Sequence, residues 1–99
     1  MSRATVSSQA RADLKDIWNY IAERDVQAAD RVLADLREAI GKVARMPGIG
    51  HPRREVADKR FRFWTVRSYL IAYYPDTKPI EIVRVVHGAR NFKKLFNRK

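Results

Sequence analysis

The chain has no cysteine, which removes disulfides, thiolate nucleophiles and sulfur-ligated zinc together. That absence fits a reducing cytoplasm. Only two histidines are present, His51 and His87, and Asp or Glu would have to supply every other ligand of a metal site, so no metal and no cofactor is expected. The four glycines are scattered, and Gly48 and Gly50 follow a helical stretch instead of a strand, so no phosphate-cradling loop is readable. No serine sits on a nucleophile elbow. No run of apolar residues is long enough to span a bilayer, and the opening MSRATVSSQ lacks the apolar segment of a secretory signal. The expectation is a cytoplasmic protein without membrane contact. Nothing repeats and nothing is low-complexity.

Acidic residues are also scarce. Eleven Asp and Glu face 21 Lys and Arg, a formal charge of +10 over 99 residues. The imbalance is lopsided: residues 1–46 hold 8 basic and 7 acidic residues, residues 47–99 hold 13 and 4, so the second half carries a net +9. A uniform solubility coat would not be distributed this way. The second half reads as equipment for an acidic macromolecule, either a nucleic acid or an acidic protein partner.

What is present describes one small α+β domain covering residues 1–99. Arg3 to Val6 suits a short strand. Ser7 or Ser8 is placed to cap a helix, and Ala10, Leu14, Ile17 and Ile21 recur at helical spacing, giving a first helix over about 8–23. Asp25 caps a second, whose stripe is Val26, Ala29, Val32, Leu36, Ile40 and Val43; Pro47, Gly48 and Gly50 end it. Two helices joined so tightly form an antiparallel hairpin. A polar, basic loop follows, with a turn of helix expected around Glu55–Asp58. Three runs, Phe61–Val66, Tyr69–Tyr74 and Ile80–Val86, are separated by Arg67-Ser68 and Pro75–Pro79 and read as an antiparallel meander. The last run is apolar on both faces and belongs inside the sheet. Ala89 to Phe96 reads as a short final helix with Phe92, Leu95 and Phe96 on its apolar side.

Two groups of residues carry candidate chemistry. Arg53, Arg54, Lys59, Arg60, Arg62 and Arg67 run from the basic loop through the first meander strand, and guanidinium forks bind phosphate or carboxylate through paired hydrogen bonds. The plainer reading is an edge strand kept from aggregating by its charges. Arg84, His87 and Arg90 form the second group. A partly buried Arg84 needs a carboxylate, with Glu55, Asp58 and Asp13 as candidates, while His87 at a strand end is placed to move a proton near neutral pH. Metal-free RNA cleavage would need Arg or Lys against the phosphorane and a second proton carrier, for which Lys59, Tyr69 and Tyr73 are the candidates. A non-catalytic binding protein fits the same residues.

The segments VSSQARADLKDIWNYIAERD, PGIGHPRREV, RFWTVRSYLIAYY and IEIVRVVHGARN, in that order, resemble the ParE toxins of the RelE/ParE toxin–antitoxin superfamily over about residues 4 to 96. The resemblance implies a short first strand, a helix hairpin on a three- to four-stranded antiparallel sheet and a short C-terminal helix. It also implies a toxin neutralised by a cognate acidic, ParD-like antitoxin in a hetero-oligomer. Characterised ParE-type toxins act on DNA gyrase, whereas RelE-type relatives cut messenger RNA in the ribosome. Arg62 and Arg84 match arginines common to both branches. His87 lies near the nuclease histidine, but Gly88-Ala89-Arg90 follows it and no Tyr stands in the tail, and the HGAR run is ParE-like. The expectation is therefore gyrase inhibition, with Arg53, Arg54, Arg60, Arg62, Arg67, Arg84 and Arg90 facing target or partner and Phe92, Leu95 and Phe96 facing the antitoxin. The alternative is an endoribonuclease using Lys59, Arg62, Arg84 and His87.

Overall fold

The structure is a computed structural model describing residues 3–54 and 56–88. The expected final helix, with Phe92, Leu95 and Phe96, lies outside the described residues, as do Arg90 and Glu55. The order of elements is β1 (Ala4–Val6), α1 (Ser8–Ala22), α2 (Val26–Arg45), a 3-10 turn (Pro47–Ile49), β2 (Arg62–Val66), β3 (Tyr69–Tyr74) and β4 (Ile80–His87).

Both helices start where the sequence supplies a cap. The Ser7 hydroxyl accepts from the Ala10 N–H at 3.0 Å, and the Asp25 carboxylate accepts from the Ala28 N–H at 3.0 Å. Each cap satisfies one of the donors that a helix start leaves open, for about 1 kcal/mol. Lys42 and Arg45 lie in the last turn of α2, where positive charge meets the carbonyl end of the helix dipole. A turn of 3-10 helix in the following loop falls at Pro47–Ile49; of the turn expected around Glu55–Asp58, Glu55 lies outside the described residues and residues 56–58 are not helical. Proline at the first position presets the backbone for the Pro47–Ile49 turn. Residues 56–60 instead form bends and turns, and the Asp58 carboxylate accepts from the Arg60 N–H two residues on.

The sheet runs β1-β4-β3-β2. The β2–β3–β4 meander is antiparallel, while β1 pairs in parallel with β4, Ala4 opposite Ile80 and Val6 opposite Ile82. The helix hairpin is the crossover that a parallel pairing requires. β4 accordingly sits inside the sheet, as its two apolar faces demand. One face packs the helices: Leu36, Val43 and Ala10 meet Ile71, Tyr73, Ile82 and Val85 in one core. Val56, Phe61, Phe63, Leu70, Ala72 and Val86 form a second cluster on the other face. Each fully buried aliphatic or aromatic side chain contributes roughly 1.5–3 kcal/mol.

The register of β4 slips between Ala72 and Tyr73 of β3: Arg84 opposes Ala72 but Ile82 opposes Tyr73, leaving Val83 as an extra residue. Such a bulge frees backbone groups from the ladder, and α1 meets them. Ser7, already capping the helix, donates its hydroxyl to the Val83 carbonyl at 2.8 Å. The Asp13 carboxylate accepts from the Val85 N–H at 2.9 Å.

Candidate functional site

Asp13 also settles the pairing of Arg84. Its two oxygens accept from Arg84 Nε at 2.9 Å and Nη2 at 3.1 Å, a two-pronged contact with the side chains 8% and 19% exposed. Of the three acids named from sequence, the one on α1 holds the guanidinium. Arg84 is thus a tie between the helix layer and β4.

Arg62 makes a single backbone contact. It donates from Nη1 to the Gly50 carbonyl at 3.0 Å. Tyr73, fully buried, completes that corner: its hydroxyl donates to the Pro47 carbonyl at 2.6 Å and accepts from the Gly50 N–H at 2.9 Å. A β-carbon on Gly50 would stand 2.8 Å from Tyr73 Cε1 and 3.0 Å from the Phe63 carbonyl, so only glycine allows this approach. The PGIG segment is therefore a latch closing the end of α2 onto β2 and β3. Burial pushes the Tyr73 hydroxyl above the ordinary tyrosine range, against the Gly50 hydrogen bond and nearby Arg62, so it stays protonated as the latch requires.

The remaining basic residues disperse. Arg60 forks onto Asp58, with Nε and Nη2 contacts of 3.0 and 2.8 Å, and its guanidinium lies 4.9 Å from the centre of the Tyr74 ring. That hydrogen bond holds the Asp58 carboxyl below the usual carboxylate range and raises Arg60 further. Arg67, in the β2–β3 turn with a positive φ of 54°, contacts Asp35 of α2 at 2.7 Å. Lys59 donates to the Arg54 carbonyl at 3.2 Å. Arg53 stretches over the Phe63 ring, 6.0 Å from its centre. Arg53 and Arg67 line one cleft; Arg60, on Asp58 and Tyr74, and Arg62, on Gly50, do not line it.

His87 is exposed at the end of β4, opposite Tyr69 in the ladder, with the two rings edge to face at 5.4 Å. Burial, with Tyr20 close by, raises the Tyr69 hydroxyl above its ordinary range. A cleft of about 470 Å³ between α1 and this strand end is lined by Ile17, Tyr20, Tyr69, Val86 and His87 among others. Sequence spacing gave no reason to single out Tyr69; the ladder register places it beside His87. The nuclease set does not assemble around that pair. Arg62 opposes Tyr73, four residues from Tyr69 along β3 and so about 13 Å away, and Arg84 is spent on Asp13.

Arg60, Arg67 and Arg84 are thus each held by a carboxylate of the fold, and Arg62 by a backbone carbonyl. The fold is shared with a chain of the solved "Chromosomal ParDE TA system from P. aeruginosa", at a TM-score of 0.72 and 20% identity over 88% of this chain and 96% of that one. Residues 5–92 match the family described as ParE toxin of type II toxin-antitoxin system, parDE. Relatives named Toxin ParE1 in Caulobacter vibrioides and in Mycobacterium tuberculosis are each 32% identical, over 87% of this chain and 88% and 89% of theirs. The chain belongs to the ParE toxin family of type II toxin–antitoxin systems.

Proposed function

We propose that the protein is a growth-inhibiting toxin that acts by binding DNA gyrase and is neutralised by direct contact with a cognate, acidic antitoxin. The family match over residues 5–92 carries the toxin and antitoxin parts of this reading. The choice of a binding mechanism over RNA cleavage is supported by the engagement of Arg84 with Asp13 and of Arg62 with Gly50. The Asp13 carboxylate offsets the field of Arg84 and takes two of its donors, which weakens it as a stabiliser of a phosphorane. The net +9 of residues 47–99 suits an acidic antitoxin, and no helix among the described residues is long and apolar enough to cross a membrane.

The test is a supercoiling assay with purified gyrase, adding the protein alone and with its antitoxin. Inhibition relieved by antitoxin supports the reading. Unchanged supercoiling together with cleavage of messenger RNA on translating ribosomes overturns it. The juxtaposition of His87 and Tyr69 is the one observation that favours this second outcome.

A further inference from the structure

α1 turns one stripe of side chains toward the end of β4. Asp13, Asp16, Ile17 and Tyr20 recur at spacings of three and four, so they share a face of the helix. Opposite them stand Tyr69 of β3 and Val85 and Val86 of β4, and together these residues line the cleft of about 470 Å³ at the strand end. Asp13 has its charge met there, by Arg84 and the Val85 N–H. Asp16 does not. It is exposed, and no described residue forms a hydrogen bond or ion pair with it. The positions three and four away on α1 hold Ala12, Asp13, Asn19 and Tyr20, none of them cationic. Tyr20, one turn further on, is 76% exposed.

This pattern runs against the rest of the surface. The cleft between α2 and β2 includes Lys42 and Arg45, one beside β2 includes Arg53 and Arg54, and one beside the β3–β4 loop includes Arg3 and Lys78. The cleft at α1 includes neither Lys nor Arg, in a chain whose formal charge is +10. It offers an unpaired carboxylate, two tyrosine rings and aliphatic walls.

We propose that this cleft binds an arginine side chain presented by a partner protein. The planar guanidinium pairs its N–H groups with the Asp16 carboxylate and lies against the Tyr20 ring, whose face attracts a cation. The aliphatic stem of the arginine lies along Ile17 and Val86. Lysine fits less well, since its ammonium is a strongly hydrated point charge and cannot fork onto a carboxylate. A metal ion would need more ligands, and no three metal-binding side chains gather among the described residues. Phosphates and acidic segments are repelled by Asp16, and the charge of +10 on each molecule opposes a second copy of this chain. The inference goes beyond the function proposed above. It gives the protein a contact opposite in sign to the one that suits an acidic antitoxin, and it does not depend on gyrase being the target.

The experiment follows the amide NMR signals of the isotope-labelled full chain while a short acetylated and amidated peptide with one central arginine between leucines is added. Control peptides carry citrulline, the uncharged isostere of arginine, or glutamate in the same place. The expected result is movement of signals from residues 13–20, 69 and 85–87 with the arginine peptide and none with the glutamate peptide. Affinity for the arginine peptide should fall about tenfold in Asp16→Asn and about threefold in Tyr20→Leu. Both of these side chains are exposed, so both variants should fold. Unchanged affinity in Asp16→Asn overturns the proposal, and so does citrulline binding as tightly as arginine, since either takes charge out of the recognition. Glutamate binding as well as arginine would reduce the cleft to an apolar slot and sink the idea. Absence of movement at these residues up to millimolar arginine peptide refutes it outright. Supercoiling inhibition does not involve the peptide, so the gyrase reading stands or falls separately.

Discussion

Asp13 of α1 and Arg84 of β4, 71 positions apart, close on each other through two hydrogen bonds of 2.9 and 3.1 Å, and the same carboxylate takes the Val85 N–H at 2.9 Å. One buried acid thus joins the helix layer to the sheet at the point where the ladder is broken by a bulge. The contact is costly to break and of modest value when whole, because both charges had to leave water to make it.

Asp13→Ala is expected to destabilise the protein by about 3–5 kcal/mol, since it strands a partly buried guanidinium and a buried N–H at once. For a small domain with roughly 5–15 kcal/mol to lose, that is enough to unfold much of the population at growth temperature. Replacing both charges, as in Asp13→Leu with Arg84→Met, should recover part of the loss. Urea midpoints of the natural chain and the two variants check this, and a double variant no more stable than Asp13→Ala refutes it.

The Tyr73 latch makes a coupled pair. Tyr73→Phe removes an acceptor for the Gly50 N–H and a donor to the Pro47 carbonyl, for an expected loss of about 1–3 kcal/mol. Gly50→Ala forces a methyl against the Tyr73 ring and the Phe63 carbonyl and should cost a similar amount by overpacking. Part of that clash is with the hydroxyl, so Gly50→Ala should cost less in a Tyr73→Phe background. A double-mutant cycle with strictly additive losses would disprove the latch.

The helices were legible because each carries an apolar stripe of the right period and a capping side chain, and the second also ends on a Pro-Gly stop. The β2–β3 and β3–β4 hairpins were legible from their separators. Residue roles were less so. Arg84 needed a carboxylate, but sequence offered three, and the choice of Asp13 depends on a bulge that no pattern of residues announces. Tyr73 looked like a spare proton carrier in an apolar strand, whereas it is the bolt of the PGIG corner. The run of arginines from Arg53 to Arg67 looked like one patch. Chain neighbours diverge once a loop, a strand and a turn each aim their side chains elsewhere, and Arg60, Arg62 and Arg67 each have a different partner within the fold.

Stability should fall on the alkaline side. Tyr69, Tyr73 and Tyr74 are all raised from about 10 by burial, so the folded state holds these protons more tightly than the unfolded chain. A raised folded value means that the contribution is fully present below the unfolded pKa near 10 and is lost as pH climbs through the folded value. Denaturation midpoints are therefore expected to hold from neutrality to about pH 10 and then drop, with tyrosinate absorbance rising together with unfolding. Tyr73→Phe, lacking the most buried of the three hydroxyls, should show a shallower alkaline decline. A wild-type midpoint flat beyond that range would contradict the burial argument.

The decisive substitution for mechanism is His87→Ala. His87 is exposed and meets Tyr69 edge to face, and its removal leaves the Asp13–Arg84 tie and the Tyr73 latch intact, so the variant should fold. If the protein acts by binding gyrase, toxicity on induction in growing cells should stay within a few-fold of the natural chain. If it cuts RNA, His87 is the natural proton carrier, and general acid–base catalysis is worth about a hundred-fold or more; toxicity should then vanish in His87→Ala. Tyr69→Phe sharpens the comparison, because it keeps the ring packed on His87 while removing the neutral hydroxyl. A folded His87→Ala protein that no longer stops growth would overturn the binding mechanism. Full toxicity in both variants would leave the pair only a packing role.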